Sequence, residues 1–291
     1  MKGVTVAVCV YNGEATIEAC LSSLLALDYP SDLLDILVID NASTDKTPDI
    51  VRRYPVRVLN EPIKGRGLAR NRAQIEAIHP VIAFTDADCI ADPKWLINLM
   101  RAFDDEQVGI AGGRIEWEGT DDLTRFQSIR RTLSNEEFSG DYPFSPPFVA
   151  TANAAFRLEA IRSVGGFRSQ YNSGEDAAIC WSIQRHGYHL RYVPDALVTH
   201  CHRYSIQSFF NHQILYGFGG VHLFHDFFPA HRVWIWWGLY VRFVSSVIRI
   251  PFALLVRDPF ARKLPLYDAL RDAGLIIGRL RGAFRYRVLA L

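Results

Sequence analysis

Two aspartates one residue apart, Asp86 and Asp88, have the type and spacing that suit a metal site. They follow the apolar run Val81–Thr85, so a buried strand is predicted to end where the carboxylates begin. Carboxylate oxygens are preferred ligands of Mg²⁺ and Mn²⁺, and such ions bind diphosphates while they keep some of their water. The alternative is an aspartate-rich turn in which Asp92 caps the next helix, because aspartate is common in turns.

Polar residues also follow two earlier apolar runs. Tyr11 comes after Val4–Val10, and Asp40 comes after Ile36–Ile39. Ligands of parallel sheets bind outside the carboxyl ends of the strands, so we expect Tyr11, Asp40 and Asp86 to meet at one edge. A carboxylate there can accept hydrogen bonds from a nucleobase or a ribose hydroxyl. A polar turn is the alternative for Asp40.

The segment Lys64–Asn71 combines glycines and cations where a helix is predicted to begin. Backbone N–H groups at a helix N-terminus favour phosphate. The segment matches neither a Walker A loop nor a GxGxxG fingerprint. Arg70 is therefore a candidate contact for the base or phosphate of a nucleotide, or the partner of an acid. A basic surface loop is the alternative for the whole segment.

Further candidate residues stand in the second half of the chain. Glu175 and Asp176 precede a predicted helix over residues 177–186. They are either acids that favour a helix N-terminus or a general base that takes the proton of an acceptor hydroxyl. His200 lies with His202 on one face of a predicted extended segment. His200 is a candidate third metal ligand, and a structural histidine is the alternative.

Strand and helix patterns alternate along the first part of the chain at a spacing of roughly 25 residues, which predicts a parallel α/β sheet. The segment 111–150 departs from this alternation and contains the proline- and aromatic-rich stretch Tyr142–Phe148. We interpret it as an irregular, mobile surface loop.

The charges are unevenly distributed along the chain. Residues 231–291 contain 11 Lys+Arg and 3 Asp+Glu, whereas residues 1–230 contain 21 and 28. An acidic body argues against nucleic acid as the main partner, and a basic, aromatic tail argues for an anionic surface. The 5 cysteines are scattered without a metal-binding spacing, and no secretory leader is recognised. We therefore expect a reduced, cytoplasmic setting.

The tail contains an apolar stretch over residues 233–256, about 24 residues and long enough in principle to span a bilayer. Arg242, Arg249 and Pro251 interrupt it, and two arginines in mid-span are costly. Because both arginines fall on one helical face, an in-plane amphipathic helix fits better than a spanning one. An ordinary core helix followed by a solvated basic helix is the other alternative. Arginines further along the tail can meet anionic head groups: Arg271, Arg279, Arg281, Arg285 and Arg287.

Taken together, these motifs resemble the family 2 glycosyltransferases with the GT-A fold over about residues 3–205. The matching pieces occur in the family's order and spacing: Val8–Asn12, Val38–Asp45, Gly65–Asn71, Thr85–Asp88 and Gly174–Asp176. The resemblance implies an α/β, GT-A-like, mostly parallel central sheet with flanking helices, followed by a C-terminal amphipathic helical tail. The domains that we expect are a nucleotide-sugar-binding half at 1–110, an acceptor-binding and catalytic half at 111–205 and a helical, membrane-associating region at 206–291.

The resemblance also implies roles for individual residues. The set expected to bind the donor is Tyr11, Asp40, Arg70, Asp86 and Asn153. The resemblance places Asp88 and Asp86 at a divalent metal, and with His200, the candidate third ligand named above, they form the set expected to hold Mg²⁺ or Mn²⁺. Asp176 would be the catalytic base of an inverting displacement, and Glu175 would help to hold the acceptor.

We therefore expect a metal-dependent glycosyltransferase that moves a sugar from a nucleoside-diphosphate sugar to a hydroxyl of a lipid-linked or cell-envelope glycan. Such an enzyme would work at the inner face of the cell membrane, bound peripherally to its anionic surface. A nucleotidyltransferase on a similar sheet would need a glycine-rich, cationic loop after the first strand, where the sequence reads Tyr11–Glu14. A non-catalytic membrane-surface scaffold of the same fold would not need the full set of acids.

Overall fold

The apolar runs of the sequence form the strands of a central sheet. The computed structural model describes residues 1–136, 145–201, 205–231 and 233–290. Its strands are β1 (Val4–Val10), β2 (Leu34–Asp40), β3 (Arg57–Asn60), β4 (Val81–Asp86), β5 (Cys89–Ala91), β6 (Val108–Trp117), β7 (Asn153–Arg157), β8 (His189–His200), β9 (Val233–Trp234) and β10 (Leu289–Ala290).

Helices connect the strands and make up most of the C-terminal region. They are α1 (Ile17–Leu25), α2 (Thr47–Val51), α3 (Arg66–Glu76), α4 (Trp95–Met100), α5 (Asp122–Arg130), α6 (Leu158–Ser163), α7 (Glu175–Arg185), α8 (Ile206–Phe227), α9 (Trp237–Ala253) and α10 (Pro259–Tyr286). The chain divides into two compact units. Unit 1 consists of Met1–Glu118, Arg131–Gln170 and Glu175–His202, and unit 2 consists of Gly119–Arg130, Tyr171–Gly174 and Arg203–Leu291.

The sheet of unit 1 has the strand order β3-β2-β1-β4-β7-β6-β8-β5 over the described residues. β1 pairs in parallel with β2 and β4, β2 with β3, and β6 with β8. β7 runs antiparallel to both β4 and β6, and β5 runs antiparallel to β8. The predicted α/β class with a mostly parallel sheet and flanking helices is confirmed.

Apolar packing fixes the position of β1 in this sheet. Val4, Val6 and Val8 alternate along the strand and therefore share one face, where all three are fully buried. Helix α1 places Ile17 and Leu21 in the same buried cluster, four residues apart on one side of the helix. The end of β1, and the loop that follows it, are thereby held at a defined place.

The interpretation of residues 111–150 as an irregular loop is wrong for much of the segment, which contains most of β6 and all of α5. β6 is rich in glycine, and glycine weakens a strand pattern in the sequence. The structure needs small residues there, since a Cβ atom at Gly113 would collide with the carbonyl oxygen of Ala196. Residues 137–144, which include part of the proline- and aromatic-rich stretch, lie outside the described residues.

Long helices dominate unit 2. Helices α8 and α10 approach closely at glycines. A Cβ atom at Gly278 would collide with the carbonyl oxygen of Ile214, and one at Gly217 would collide with that of Leu275. The apolar stretch 233–256 contains α9. Over the part of the chain that the structure describes, no helix has both the length and the apolar character that crossing a membrane requires.

Two arginines of α9 face acids of α10. Arg242 Nη2 lies 3.1 Å from Asp272 Oδ1, and Arg249 Nη2 lies 3.9 Å from Asp268 Oδ2. Arg271 also contacts both aspartates. These three arginines are therefore part of an ion network inside unit 2, and the interpretation of Arg271 as a head-group contact is wrong. Arg279, also assigned to head groups, is buried.

Candidate active site

The parallel strands bring three of the predicted residues to one edge of the sheet. Asp40 of β2 is paired with Val10, and Asp86 of β4 is paired with Cys9, so the two aspartates flank the end of β1. Tyr11 follows β1 directly, with 42% of its surface exposed. The expected arrangement of Tyr11, Asp40 and Asp86 is therefore present.

Asn41 organises this edge, although sequence reasoning assigned it no role. Its Nδ2 donates to the carbonyl oxygens of Ile63, at 2.7 Å, and Glu61, at 3.2 Å. Its Oδ1 accepts from the N–H of Gly65 at 2.8 Å. One buried amide thus ties the end of β2 to the loop that leads into α3.

Arg70 of α3 is buried and lies among three carboxylates. Its Nη1 is 2.8 Å from Glu175 Oε1 and 3.1 Å from Asp176 Oδ1, and its Nη2 is 3.9 Å from Asp86 Oδ1. Burial alone lowers the pKa of Arg70, but the charges of Asp176, Glu175 and Asp86 raise that pKa above its ordinary value. Of the alternatives for Arg70, pairing with acids is the one observed.

Asp176 and Glu175 belong to the first turn of α7 instead of preceding the helix. The pKa of Asp176 is raised to about 6. Burial raises this pKa, the nearby charge of Arg70 lowers it, and the charge of Glu175 raises it. Thr151 donates to Asp176 twice, from Oγ1 to Oδ1 at 3.0 Å and from its backbone N to Oδ2 at 3.2 Å. A carboxylate whose pKa is near neutral, held by a cation and two hydrogen bonds, has the properties of a general base.

A cluster with the chemistry of a metal site lies near Asp86. The Nε2 atom of His200 is 3.5 Å from Asp88 Oδ1. Asp88, Cys89 and His200 each offer one ligand atom, and these atoms all lie within 4.8 Å of one another. His200 stands opposite Cys89 in the antiparallel pair of β5 and β8, which explains why their side chains are close. His202 lies outside the described residues.

The charge balance at this edge also fits a cation. Burial raises the pKa of Asp86, Arg70 lowers it and the like charge of Asp88 raises it. A divalent cation would relieve the repulsion between the two aspartates, and carboxylate and imidazole are ligands that Mg²⁺ or Mn²⁺ accept. The residues present therefore fit a divalent metal. Sequence reasoning missed Cys89, whose position next to Asp88 was its only signal.

Asn153 lies inside the sheet. Its Oδ1 accepts from Trp95 Nε1 at 2.7 Å, and its Nδ2 donates to the carbonyl oxygens of Arg114, at 2.7 Å, and Ala196, at 2.9 Å. The side chain is fully buried. This environment suits a residue that joins β6, β7 and β8 more than one that touches a ligand.

Comparison with known proteins identifies the family. The model of Glycosyl transferase family 2 matches residues 5–165, so the chain belongs to that family. It is 30% identical over 224 residues to a pre-mycofactocin glycosyltransferase of Mycobacterium tuberculosis. This alignment covers 74% of this chain and 46% of that protein. It is 27% identical over 206 residues to the glycosyltransferase AglE of Haloferax volcanii, covering 68% and 66% of the two chains. The chain thus spans about half to two thirds of the length of these relatives.

Solved structures show the same fold. The mannosyltransferase PcManGT from Pyrobaculum calidifontis, in complex with GDP-Man and Mn²⁺, aligns with a TM-score of 0.68 at 21% identity and covers 98% of this chain and 88% of its own. TarS 1–349 of S. aureus, in complex with UDP-GlcNAc, aligns with a TM-score of 0.55 at 14% identity, covering 98% and 92%. The chain therefore has a GT-A-like fold.

Proposed function

We propose that this protein is a glycosyltransferase that moves a sugar from a nucleoside-diphosphate sugar to an acceptor hydroxyl with inversion. The observation that carries the proposal is the placement of Arg70 between Asp86, at the strand ends, and Asp176, at the start of α7. The Asp86 side of Arg70 suits the binding of a sugar diphosphate, and Asp176 on the other side suits a role as proton acceptor. The names of the family members similar to this chain agree with such an activity.

In this proposal the donor binds at the ends of the parallel strands. Asp40 and Tyr11 contact the nucleobase or ribose, and Asp88 and His200, with Asp86 beside them, hold Mg²⁺ or Mn²⁺. When bound, the cation neutralises charge on the departing diphosphate. The complex of PcManGT with GDP-Man and Mn²⁺ supports a divalent metal for a protein of this fold. Residues 1–110 would then form the donor-binding half.

Asp176 acts as the base of a single displacement. The acceptor hydroxyl gives its proton to this carboxylate while its oxygen bonds to the anomeric carbon, and the bond from that carbon to the diphosphate oxygen breaks. Arg70 keeps the carboxylate in place, and Glu175 balances the arginine's charge. Because Glu175 is buried against Arg70, we propose that it supports the acceptor side indirectly. Residues 111–205 would form the acceptor-binding and catalytic half.

We further propose that the acceptor is a lipid-linked or cell-envelope glycan and that region 206–291 holds the protein at the inner face of the membrane. Helix α9 exposes a stripe of apolar residues, and Leu255 just after its end is exposed as well: Val241, Val244, Ile248 and Phe252 lie in the helix. Near the end of α10, Phe284 is 90% exposed and has exposed arginines, Arg281 and Arg285, beside it in the sequence. Apolar side chains enter the head-group region while cations meet anionic lipids.

A donor screen tests the proposed activity. The chain is incubated with a panel of nucleotide sugars that includes GDP-mannose and UDP-N-acetylglucosamine, in Mn²⁺, in Mg²⁺ or in EDTA, and released nucleoside diphosphate is measured. We expect turnover of one donor class that EDTA abolishes. If no donor is turned over and none raises the melting temperature, the alternative of a non-catalytic scaffold is favoured. A nucleotidyltransferase would instead release pyrophosphate when supplied with a nucleoside triphosphate and a sugar phosphate.

A further inference from the structure

The carboxylate of Asp176 is held on both oxygens by groups of unit 1. Oδ1 accepts from Thr151 Oγ1 at 3.0 Å and faces Arg70 Nη1 at 3.1 Å. Oδ2 accepts from the backbone N of Thr151 at 3.2 Å. One residue, Thr151, thus contacts both oxygens, which fixes the plane of the carboxylate as well as its position.

Thr151 is itself held rigidly. It is buried, and it lies in a turn in which the N–H of Asn153 donates to the carbonyl oxygen of Ala150 at 3.1 Å. Asn135 anchors that turn, since its Oδ1 accepts from the N–H of Ala150 at 2.7 Å and its Nδ2 donates to the carbonyl oxygen of Asn153 at 2.9 Å. These contacts hold the backbone of Thr151 in place, so that its N–H and its hydroxyl both lie within hydrogen-bond distance of Asp176.

The two oxygens of Asp176 differ in what they have left to accept. An ionised carboxylate has about four lone-pair sites. Oδ1 accepts a hydrogen bond from Thr151 Oγ1 and lies 3.1 Å from Arg70 Nη1, whose positive charge stabilises negative charge on this oxygen. Oδ2 receives the weaker backbone donor and keeps a site for a further proton. Oδ2 is accordingly the more basic of the two oxygens.

We propose that Thr151 is a positioning residue that turns Asp176 so that Oδ2 takes the proton of the acceptor hydroxyl. This inference rests on the proposed function, because it needs Asp176 to be the base. In this role the hydroxyl of Thr151 acts on the base and makes no contribution to donor binding. Loss of that hydroxyl should slow transfer and leave donor binding unchanged.

Changing Thr151 removes none of the charged groups that act on Asp176. They are Arg70 of α3, Glu175 of α7 and Asp86 of β4. Removing the hydroxyl of Thr151 takes one hydrogen bond from the ionised form, so Asp176 should need a higher pH to ionise. The acid limb of the pH–rate profile should therefore move to higher pH.

The test compares Thr151→Val, Thr151→Ala and Thr151→Ser in the full chain. For the valine and alanine variants we expect kcat to fall about 10- to 100-fold, the range for one hydrogen bond to a charged group. The donor KM and the melting-temperature rise with the nucleotide sugar and Mn²⁺ should stay near those of the wild type. The serine variant, which restores a hydroxyl, should recover kcat and the original pH profile.

Thr5 provides a matched control. It is buried in unit 1, and its Oγ1 donates to Asp35 Oδ2 at 3.0 Å, while Arg57 Nη1 lies 2.7 Å from the same oxygen. Thr5 and Asp35 stand at the beginnings of β1 and β2, away from the strand ends that carry Asp40 and Asp86. Thr5→Val should lower stability and leave both kcat and the pH profile unchanged.

The outcomes separate the two proposals. Wild-type kcat and pH profile in both Thr151→Val and Thr151→Ala would overturn the positioning role, even though transfer itself is established. Loss of donor binding in the serine variant as well would overturn it too, since Thr151 would then serve the donor site or the fold. Failure of the wild-type chain to turn over any donor would instead remove the proposed function, and with it this inference.

Discussion

Asp268 and Asp272 in unit 2 and Asp86 and Asp88 in unit 1 are two pairs of neighbouring acids with opposite surroundings. The side chains of Asp268 and Asp272 are 4% and 0% exposed. Arginines from three helices, α5, α9 and α10, lie within 4 Å of them: Arg130, Arg242, Arg249 and Arg271. Over the described residues, these arginines outnumber the two carboxylates that they surround.

The balance is reversed at the strand ends of unit 1. Arg70 approaches Asp86 only at 3.9 Å and makes its shorter contacts with Glu175 and Asp176. His200 faces Asp88 at 3.5 Å. Asp86, Glu175 and Asp176 thus share Arg70, whose single charge does not balance theirs. A network in which every carboxylate has arginine partners suits a structural role. A cluster in which carboxylates outnumber the cations that contact them suits a site that binds a metal cation.

The largest effect that we expect is on the stability of unit 2. Asp272→Asn removes a fully buried charge and leaves Arg242 and Arg271 without it, which should lower the free energy of unfolding by about 3 kcal/mol. Urea unfolding followed by tryptophan fluorescence measures the loss. Asp49→Asn is the control, because Asp49 pairs with Arg52 on the surface, and it should cost less than about 0.5 kcal/mol. Equal losses in the two variants would contradict the comparison.

Asp88→Asn should show the opposite behaviour. Turnover in Mn²⁺ should fall by about 100-fold or more, the scale seen when one charge-stabilising group is lost from an active site. Stability in EDTA should be unchanged or higher, because Asp86 loses a like-charged neighbour. The measurements are donor turnover across Mn²⁺ concentrations and melting temperature without metal. Full turnover would show that Asp88 does not hold the metal.

The pH dependence of stability should report on Asp176. Its pKa is about 6 in the folded chain, above the ordinary value of 3.8, because burial disfavours the charged form. The folded state therefore holds this proton more tightly than the unfolded state does, so stability falls as pH rises from about 4 to about 6. Transfer has the opposite sign, since the base must be ionised, and it should decline below about pH 6.

Asp176→Asn isolates this contribution. Thermal unfolding of the variant should lose part of the slope between pH 4 and 6, and the rest should persist because the pKa of Asp86 is also raised. The variant should still bind the donor but not transfer. Parallel stability curves for the wild type and the variant across this window would show that Asp176 has an ordinary pKa.

The smallest effect concerns the apolar stripe of α9. Phe252→Ser should weaken binding to vesicles that contain phosphatidylglycerol about 3- to 10-fold, because a partly buried phenyl ring contributes roughly 1 kcal/mol. Co-sedimentation with the vesicles measures it. Leu25→Ser is the control, since Leu25 is an exposed apolar residue of unit 1. If both variants, or neither, lose binding, the membrane is not met through α9.

The strand ends could be predicted from the sequence because the apolar runs that precede them are continuous. The runs Val4–Val10 and Val81–Thr85 form β1 and most of β4, and the polar residues after them had to fall at one edge. The partners of Arg70 could not be predicted, because Glu175 is 105 residues away and local patterns carry no record of such contacts. Whether Arg70 contacts a nucleotide or pairs with an acid could be decided only from the tertiary structure.

Missing information about tertiary contacts also explains where the structure of α9 and β6 differs from the sequence prediction. The spacing of Arg242 and Arg249 predicted a shared helical face, but a period of seven residues does not say whether lipid or a neighbouring helix lies against it. β6 was missed because its glycines serve close backbone approach and weaken the pattern of a strand. The role of Thr151 depends on its contacts with Asp176 at the start of α7, and the sequence alone does not show those contacts.

The position of Arg70 constrains how this fold can be recombined. The residue belongs to the first 110 residues, yet its short contacts are with Glu175 and Asp176 in the second half. A chimera that takes its first half from a relative must bring an arginine at this place, or the buried Glu175 and the half-buried Asp176 would lose their counter-charge. If the proposed roles hold, donor preference and base strength would be inherited together, and an engineer who exchanges one would have to redesign the other.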